Sequence, residues 1–178
     1  WHQDSAGIQG LAEDNDELGR SMTVGDFDCD GTDDLAIGVP LEGVGSTPAA
    51  GAVNVLYGSS TGLSSVADIW YQGNSGVNGA SERSDEFGTT LAAGNFDGDQ
   101  DSQTGHSCSD LAIGAPLEDI GSTSDAGWVY LIFGGAGGLS TTGDASLHQD
   151  VSGVADSCEA DDQFGAGLAV VTDSAGGP

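Results

Sequence analysis

The sequence predicts an all-β protein made of β-propeller blades of four antiparallel strands, present in about two and a half repeats. Three observations lead there. First, a segment that opens at Trp1-His2-Gln3 restarts at Trp70-Tyr71-Gln72 and again at Leu147-His148-Gln149. Each start is followed at matching spacing by Gly7, Gly76 or Gly153, then by Asp16-Glu17-Leu18-Gly19, Asp85-Glu86-Phe87-Gly88 or Asp162-Gln163-Phe164-Gly165. A period of roughly 70 residues marks a supersecondary unit that buries its core by stacking on its neighbours. Second, 31 Gly, a charged fraction of 17% and only two Lys plus Arg leave little material for surface helices. Third, the first copy offers four short strand-like runs, the strand count of one propeller blade, and the second repeats their order through the third run.

Taken in order, Met22 to Phe27 alternates apolar with small or polar residues, and Asp34 to Val39 does so again before Pro40 ends it. Gly51 to Gly58 supplies a third run and Ala67 to Gln72 a weaker fourth. In the second copy the runs are Thr90 to Phe96, Asp110 to Pro116 and Gly127 to Gly134. Small residues dominate the first two strands, as expected where blades crowd a central axis. The repeats divide the chain at 1–69, 70–146 and 147–178, the last of them partial. A β-solenoid is the structural rival, but its repeat is usually shorter and does not need four strands.

The formal net charge of -27, with Arg20 and Arg83 as the sole strong cations, excludes nucleic acid as a partner, because phosphate neutralisation needs clustered Lys and Arg. Anionic membrane surfaces are disfavoured for the same reason. No run reaches the roughly 18 apolar residues of a membrane span, and no charged-then-apolar signal segment opens the chain. Trp1 is not an initiator, and the third copy stops short, so the sequence reads as a piece of a longer or processed product.

Aspartate far outnumbers glutamate and clusters beside glycine in one turn per copy. Between the first two strands lies Asp26-Phe27-Asp28-Cys29-Asp30-Gly31-Thr32-Asp33-Asp34, with carboxylates Asp26, Asp28, Asp30 and Asp34 at loop positions one, three, five and nine. Alternate residues of a tight loop point inward together, Gly31 permits the bend, and the carbonyl of Thr32 supplies position seven. Oxygen ligands at this count favour Ca²⁺, whereas Mg²⁺ takes fewer protein ligands and keeps more water. An EF-hand is excluded, since its twelfth position is Glu and here it is Ile37 between strand-like flanks. Without a cation, four carboxylates so close repel one another strongly. The bland alternatives are an Asp/Gly-rich turn without metal and a salt-adapted acidic surface. The second copy sets Asn95, Asp97 and Asp99 at the matching first three positions. An inserted stretch, Gln100 to Ser109, follows before Asp110 enters the strand, with Asp101 as a source of the seventh-position carbonyl.

These motifs resemble the FG-GAP repeats, the calcium-binding repeats of the integrin alpha-subunit propeller. Phe87-Gly88 and Gly114-Ala115-Pro116 give that family its name in the second copy, Leu18-Gly19 and Gly38-Val39-Pro40 are near-variants in the first, and Phe164-Gly165 opens the third. The resemblance covers nearly the whole chain and implies a β-propeller, usually of seven blades, with Ca²⁺ in hairpin loops on one rim and ligand recognition largely on loops of the other. Segments such as Trp70-Tyr71-Gln72 look more like the secreted or surface FG-GAP proteins of microbes than like animal integrins. Two and a half copies cannot close a seven-bladed ring, so further repeats, other subunits or an open stack are expected.

On a propeller, Cys29 and Cys108 would share a rim on adjacent blades, which suggests a disulfide between them. Cys158 would face the other rim, and is left free, paired outside this sequence, or paired with Cys108 if the architecture differs. Three cysteines point weakly to an oxidising compartment. Zinc is not expected, because no CxxC or HxxxH spacing occurs. His2, Tyr71 and His148 occupy one structural position of the three copies, His106 sits in the inserted loop, and Trp128, Tyr130 and Phe133 read as packing between blades.

The function that follows is a non-catalytic, extracellular, secreted or cell-surface calcium-binding module for adhesion or for binding a protein or glycan ligand. The loops 41–50 and 117–126 are where partner contacts are expected. The alternative is a structural subunit of an extracellular filament or surface layer, built by stacking copies of itself. A third reading is an accessory domain of a secreted hydrolase. No nucleophile elbow or metalloprotease motif supports catalysis by these residues.

Overall fold

Period-2 patterning and small residues at close approaches produce two meandering sheets. They are seen in a computed structural model that describes residues 1–5, 7–64, 67–103 and 105–171. In the first sheet β1 (Met22–Gly25), β2 (Asp34–Val39), β3 (Ala52–Leu56) and β4 (Ala67–Trp70) pair antiparallel in chain order. The second sheet repeats this with β5 (Thr90–Gly94), β6 (Asp110–Ala115), β7 (Trp128–Phe133) and β8 (Ser140–Leu147). Each sheet is thus a four-stranded blade, as the sequence predicts. The last strand is less regular, because its pairing with β7 shifts register between Leu131 and Phe133. Among the described residues no helix is long and apolar enough to cross a membrane.

The principal core contains side chains of both sheets. Val53, Val55 and Trp70 of the first meet Leu111, Ile113 and Tyr130 of the second. Phe27 and Phe87, both without solvent exposure, complete this core, and the Phe87 ring lies 5.2 Å from that of Tyr130. Burying a side chain of this size stabilises the fold by roughly 1.5–3 kcal/mol. Tyr130 is fully buried and Trp128 packs against the same core, so these two aromatics are packing residues.

The FG and GAP motifs are the joints between copies. Phe87 N–H donates to the Ala50 carbonyl at 3.0 Å, seating the second copy on the loop before β3. Phe164 N–H donates to the Ala126 carbonyl at 2.9 Å in the same way. Ser21 Oγ donates to the Gly88 carbonyl, and Thr90 Oγ to the Gly165 carbonyl, each at 2.6 Å. The third copy therefore docks by its opening segment, and Phe164 and Leu168 pack against a small core of Ala92, Ala112 and Val129. Residues 148–171 contain no strand, and 172–178 of that copy lie outside the described residues.

Candidate metal centre

The hairpin that joins β1 to β2 is folded around its own carboxylates. Gly31 takes a φ of 87° at the bend, a conformation open to glycine at little cost. The two carboxylate oxygens of Asp26 accept the N–H groups of Asp30 (3.0 Å) and Gly31 (2.8 Å). Asp28 also accepts from Asp30 N–H at 3.2 Å, and Asp30 in turn accepts from Thr32 N–H at 2.7 Å. These are the local side-chain to backbone bonds that favour Asp in turns.

Asp34 anchors the loop to the sheet. At 1% exposure it is buried at the start of β2, where its oxygens accept Phe27 N–H and Gly58 N–H, each at 2.7 Å. One carboxylate thereby ties the loop after β1 to the chain leaving β3. Carboxylate oxygens of Asp26, Asp28 and Asp34 all lie within 4.8 Å of one another. Of the other expected ligands in this loop, Asp30 and Thr32 stand outside that trio and are joined to each other.

Crowding has an electrostatic signature. Burial, with the charges of Asp28 and Asp26 adding to it, pushes Asp34 up to about 6 although two backbone N–H groups oppose the shift. Asp28 is raised by burial and then by the charge of Asp30. Both shifts disfavour the anionic form, and a cation among these oxygens reverses that.

The second copy repeats the anchor. Asp110, fully buried at the start of β6, accepts Phe96 N–H at 2.5 Å and Gly134 N–H at 2.9 Å. Oxygens of Asp97, Asp99 and Asp110 form a second trio within 4.8 Å. Asn95 is scaffolding: its amide donates to the Asp99 carbonyl (2.8 Å) and Ser107 Oγ (2.7 Å), and its oxygen accepts Gly98 N–H (2.5 Å). Asp101 closes a turn of the insertion, its carbonyl accepting Gly105 N–H at 2.7 Å and its carboxylate accepting Gln103 N–H at 3.0 Å. Asp99 is raised by burial and then by Asp97 and Asp110, and its Oδ1 is buried without a hydrogen-bond partner.

Calcium, the ion implied by the resemblance, fits these donors. Both trios offer only hard oxygen ligands, each accepting oxygen keeps a second lone pair, and the buried Asp99 Oδ1 has a bond still to make.

The inserted loop of the second copy lies over the first acidic loop. Cys108 is bonded to Cys29, with Cα atoms 4.8 Å apart, and Ser109 N–H donates to the Asp26 carbonyl at 2.8 Å. The His106 imidazole occupies the space that a Cβ on Gly31 would take. The suggested disulfide is present, and Cys158 is a free thiol.

At the other end of each sheet is a buried pair that lies outside the acidic loops and the FG and GAP motifs. Gln3 Nε2 donates to Glu42 at 2.6 Å; Gln72 Nε2 donates to Glu118 and, at 2.9 Å, to Tyr130 Oη. Burial, aided by neighbouring acids, pushes Glu42 up to about 7 and Glu118 up to about 8. The signal was present, since Pro-Leu-Glu recurs at Pro40-Leu41-Glu42 and Pro116-Leu117-Glu118, each with a partner at the third residue of the copy.

Residues 18–56 match the family model of the FG-GAP repeat. The span runs from Leu18-Gly19 through the first acidic loop to the end of β3, so the resemblance read from the motifs holds there. No curated protein matches the chain significantly.

Proposed function

We propose, from a chain with an FG-GAP repeat and four-stranded blades, that it is a calcium-stabilised, non-catalytic extracellular module for adhesion or for binding a protein or glycan. The observation that carries this reading is the same construction in both copies: carboxylates converging beside a buried aspartate that already holds two backbone N–H groups. In the first loop Asp26, Asp28 and Asp34 are the ligands, with Asp30 and the Thr32 carbonyl as further donors on a modest loop movement. In the second they are Asp97, Asp99 and Asp110, framed by Asn95.

Bound Ca²⁺ supplies charge neutralisation and a cross-link, not a reacting group. The mechanical role belongs to Asp34 and Asp110, which tie the start of the second strand of each blade to the acidic loop and to the chain leaving the third strand. The recognition surface is then formed by loops 41–50 and 117–126 at the opposite end. The Cys29–Cys108 bond supports an oxidising, extracellular setting.

The test is a thermal melt in millimolar Ca²⁺ and after chelation, with bound metal counted. A ligand at 100 times its Kd adds about 2.7 kcal/mol to stability. A large fall in Tm on chelation with loss of one to two ions per chain is expected. An unchanged Tm with no bound ion would reduce the acidic loops to turns.

A further inference from the structure

We propose that His148, Asp150 and Cys158 form a second kind of metal site, for a thiolate-binding divalent cation of the zinc class. It stands apart from the acidic loops and does not depend on the calcium reading.

The site is built by one short segment after β8. Turn bonds from Val151 N–H to the His148 carbonyl and from Val154 N–H to the Val151 carbonyl, each 3.0 Å, fold it back on itself. Asp150 Oδ1 then accepts Cys158 N–H at 3.1 Å, which brings the cysteine over the start of the segment. His148 Nδ1 lies 3.6 Å from Cys158 Sγ, and a ligand atom from each of the three residues falls within 4.8 Å of the others. A tetrahedral zinc ion, with bonds of about 2.1 Å to nitrogen and 2.3 Å to sulfur, holds these two atoms about 3.6 Å apart. The Trp128 ring packs edge-on against His148 at 5.3 Å and restrains the imidazole. Asp150 is exposed and the other two ligands are half-buried, so the fourth position opens to solvent.

Donor chemistry separates this site from the two acidic trios. Those present oxygen alone, suited to a hard ion; this one combines sulfur, imidazole nitrogen and carboxylate, suited to a borderline ion. On binding, the thiol proton of Cys158 passes to solvent and neutral His148 coordinates through Nδ1, with its remaining proton on Nε2. The other copies serve as internal comparisons. The first has His2 and Asp4 at the corresponding places but Ala12 where Cys158 stands; the second has Tyr71, Gly73 and Ser81. Only the third copy has all three ligand types. Spacing alone did not suggest zinc, because the ligands follow neither a CxxC nor an HxxxH pattern.

The experiment is a Co²⁺ titration of the full chain at saturating Ca²⁺, after one thiol per chain has been counted with a thiol reagent. Calcium fills the hard-oxygen loops, so the near-ultraviolet thiolate-to-cobalt charge-transfer band reports on Cys158. One equivalent of Co²⁺ per chain should develop the band and Zn²⁺ should abolish it. Cys158→Ser should eliminate it while keeping the wild-type circular dichroism and Tm in calcium. His148→Ala should weaken Co²⁺ binding at least tenfold. Absence of the band in the wild type, or a band of unchanged affinity in His148→Ala, would overturn the proposal.

Discussion

The carbonyl oxygen of Gly88 fills the place where a Cβ on Gly38 would stand. Gly38 belongs to the GAP-like segment of the first copy and Gly88 to the FG pair of the second, so the two family marks are the two halves of one joint. The same holds one step on, where the Gly165 carbonyl meets Gly114.

Substituting either joint glycine tests that relationship. Gly38→Ala or Gly114→Ala forces a methyl group onto backbone, and overpacking of this kind costs typically about 1–3 kcal/mol. Gly135→Ala and Gly137→Ala have nothing within 4 Å of the added carbon and should be nearly neutral. Urea denaturation of the four variants checks this. Equal losses at all four positions would contradict the joint.

Asp34→Asn should damage the first loop twice over. Asparagine offers one carbonyl oxygen where Asp34 accepts both Phe27 N–H and Gly58 N–H, and hydrogen bonds to charged groups contribute roughly 1.5–3 kcal/mol each. A lower Tm in calcium and the loss of one bound ion are expected. Asp110→Asn should do the same at the second loop, leaving the first site filled.

Breaking Cys29–Cys108 should destabilise the chain through its unfolded state. The cross-link spans 79 residues, and loop-closure entropy for that length is worth about 4.5 kcal/mol. A Cys29→Ser/Cys108→Ser variant should therefore unfold at lower denaturant. It should also bind calcium more weakly at the first loop, over which the bonded insertion lies. Calorimetric Ca²⁺ titration separates this from loss of the second site.

Stability should fall as pH rises through the range of Glu42 and Glu118. Their folded values, about 7 and about 8, lie above the ordinary glutamate value of 4.5, so the folded chain holds more protons than the unfolded one in between. By linkage, that contribution is complete below about pH 4.5 and is lost as pH climbs past 8. Denaturant midpoints at saturating calcium should be higher at pH 6 than at pH 8.5. Glu118→Gln, which keeps an acceptor for Gln72, should flatten the slope.

The repeat, the four strands per blade and the two acidic loops are legible in residue order alone. Those features are written in local signals: period-2 apolar runs, prolines after Val39 and Ala115, and aspartates at alternate loop positions around Gly31. Residue order also supplied the candidate disulfide, since matching loops of adjacent blades bring Cys29 and Cys108 to one rim. The remaining features depend on which residues distant in sequence become neighbours once the chain is folded. Asn95 and Asp101 match ligand positions by spacing, yet they bond to the loop itself, because the insertion offers backbone groups close at hand. The burial of Glu42 and Glu118 arises where the opening segment of each copy, with Gln3 or Gln72, folds over the loop after that copy's second strand, a contact between residues far apart in sequence. The meeting of His148, Asp150 and Cys158 depends on how the chain turns after β8, a path set by docking of the third copy on the second.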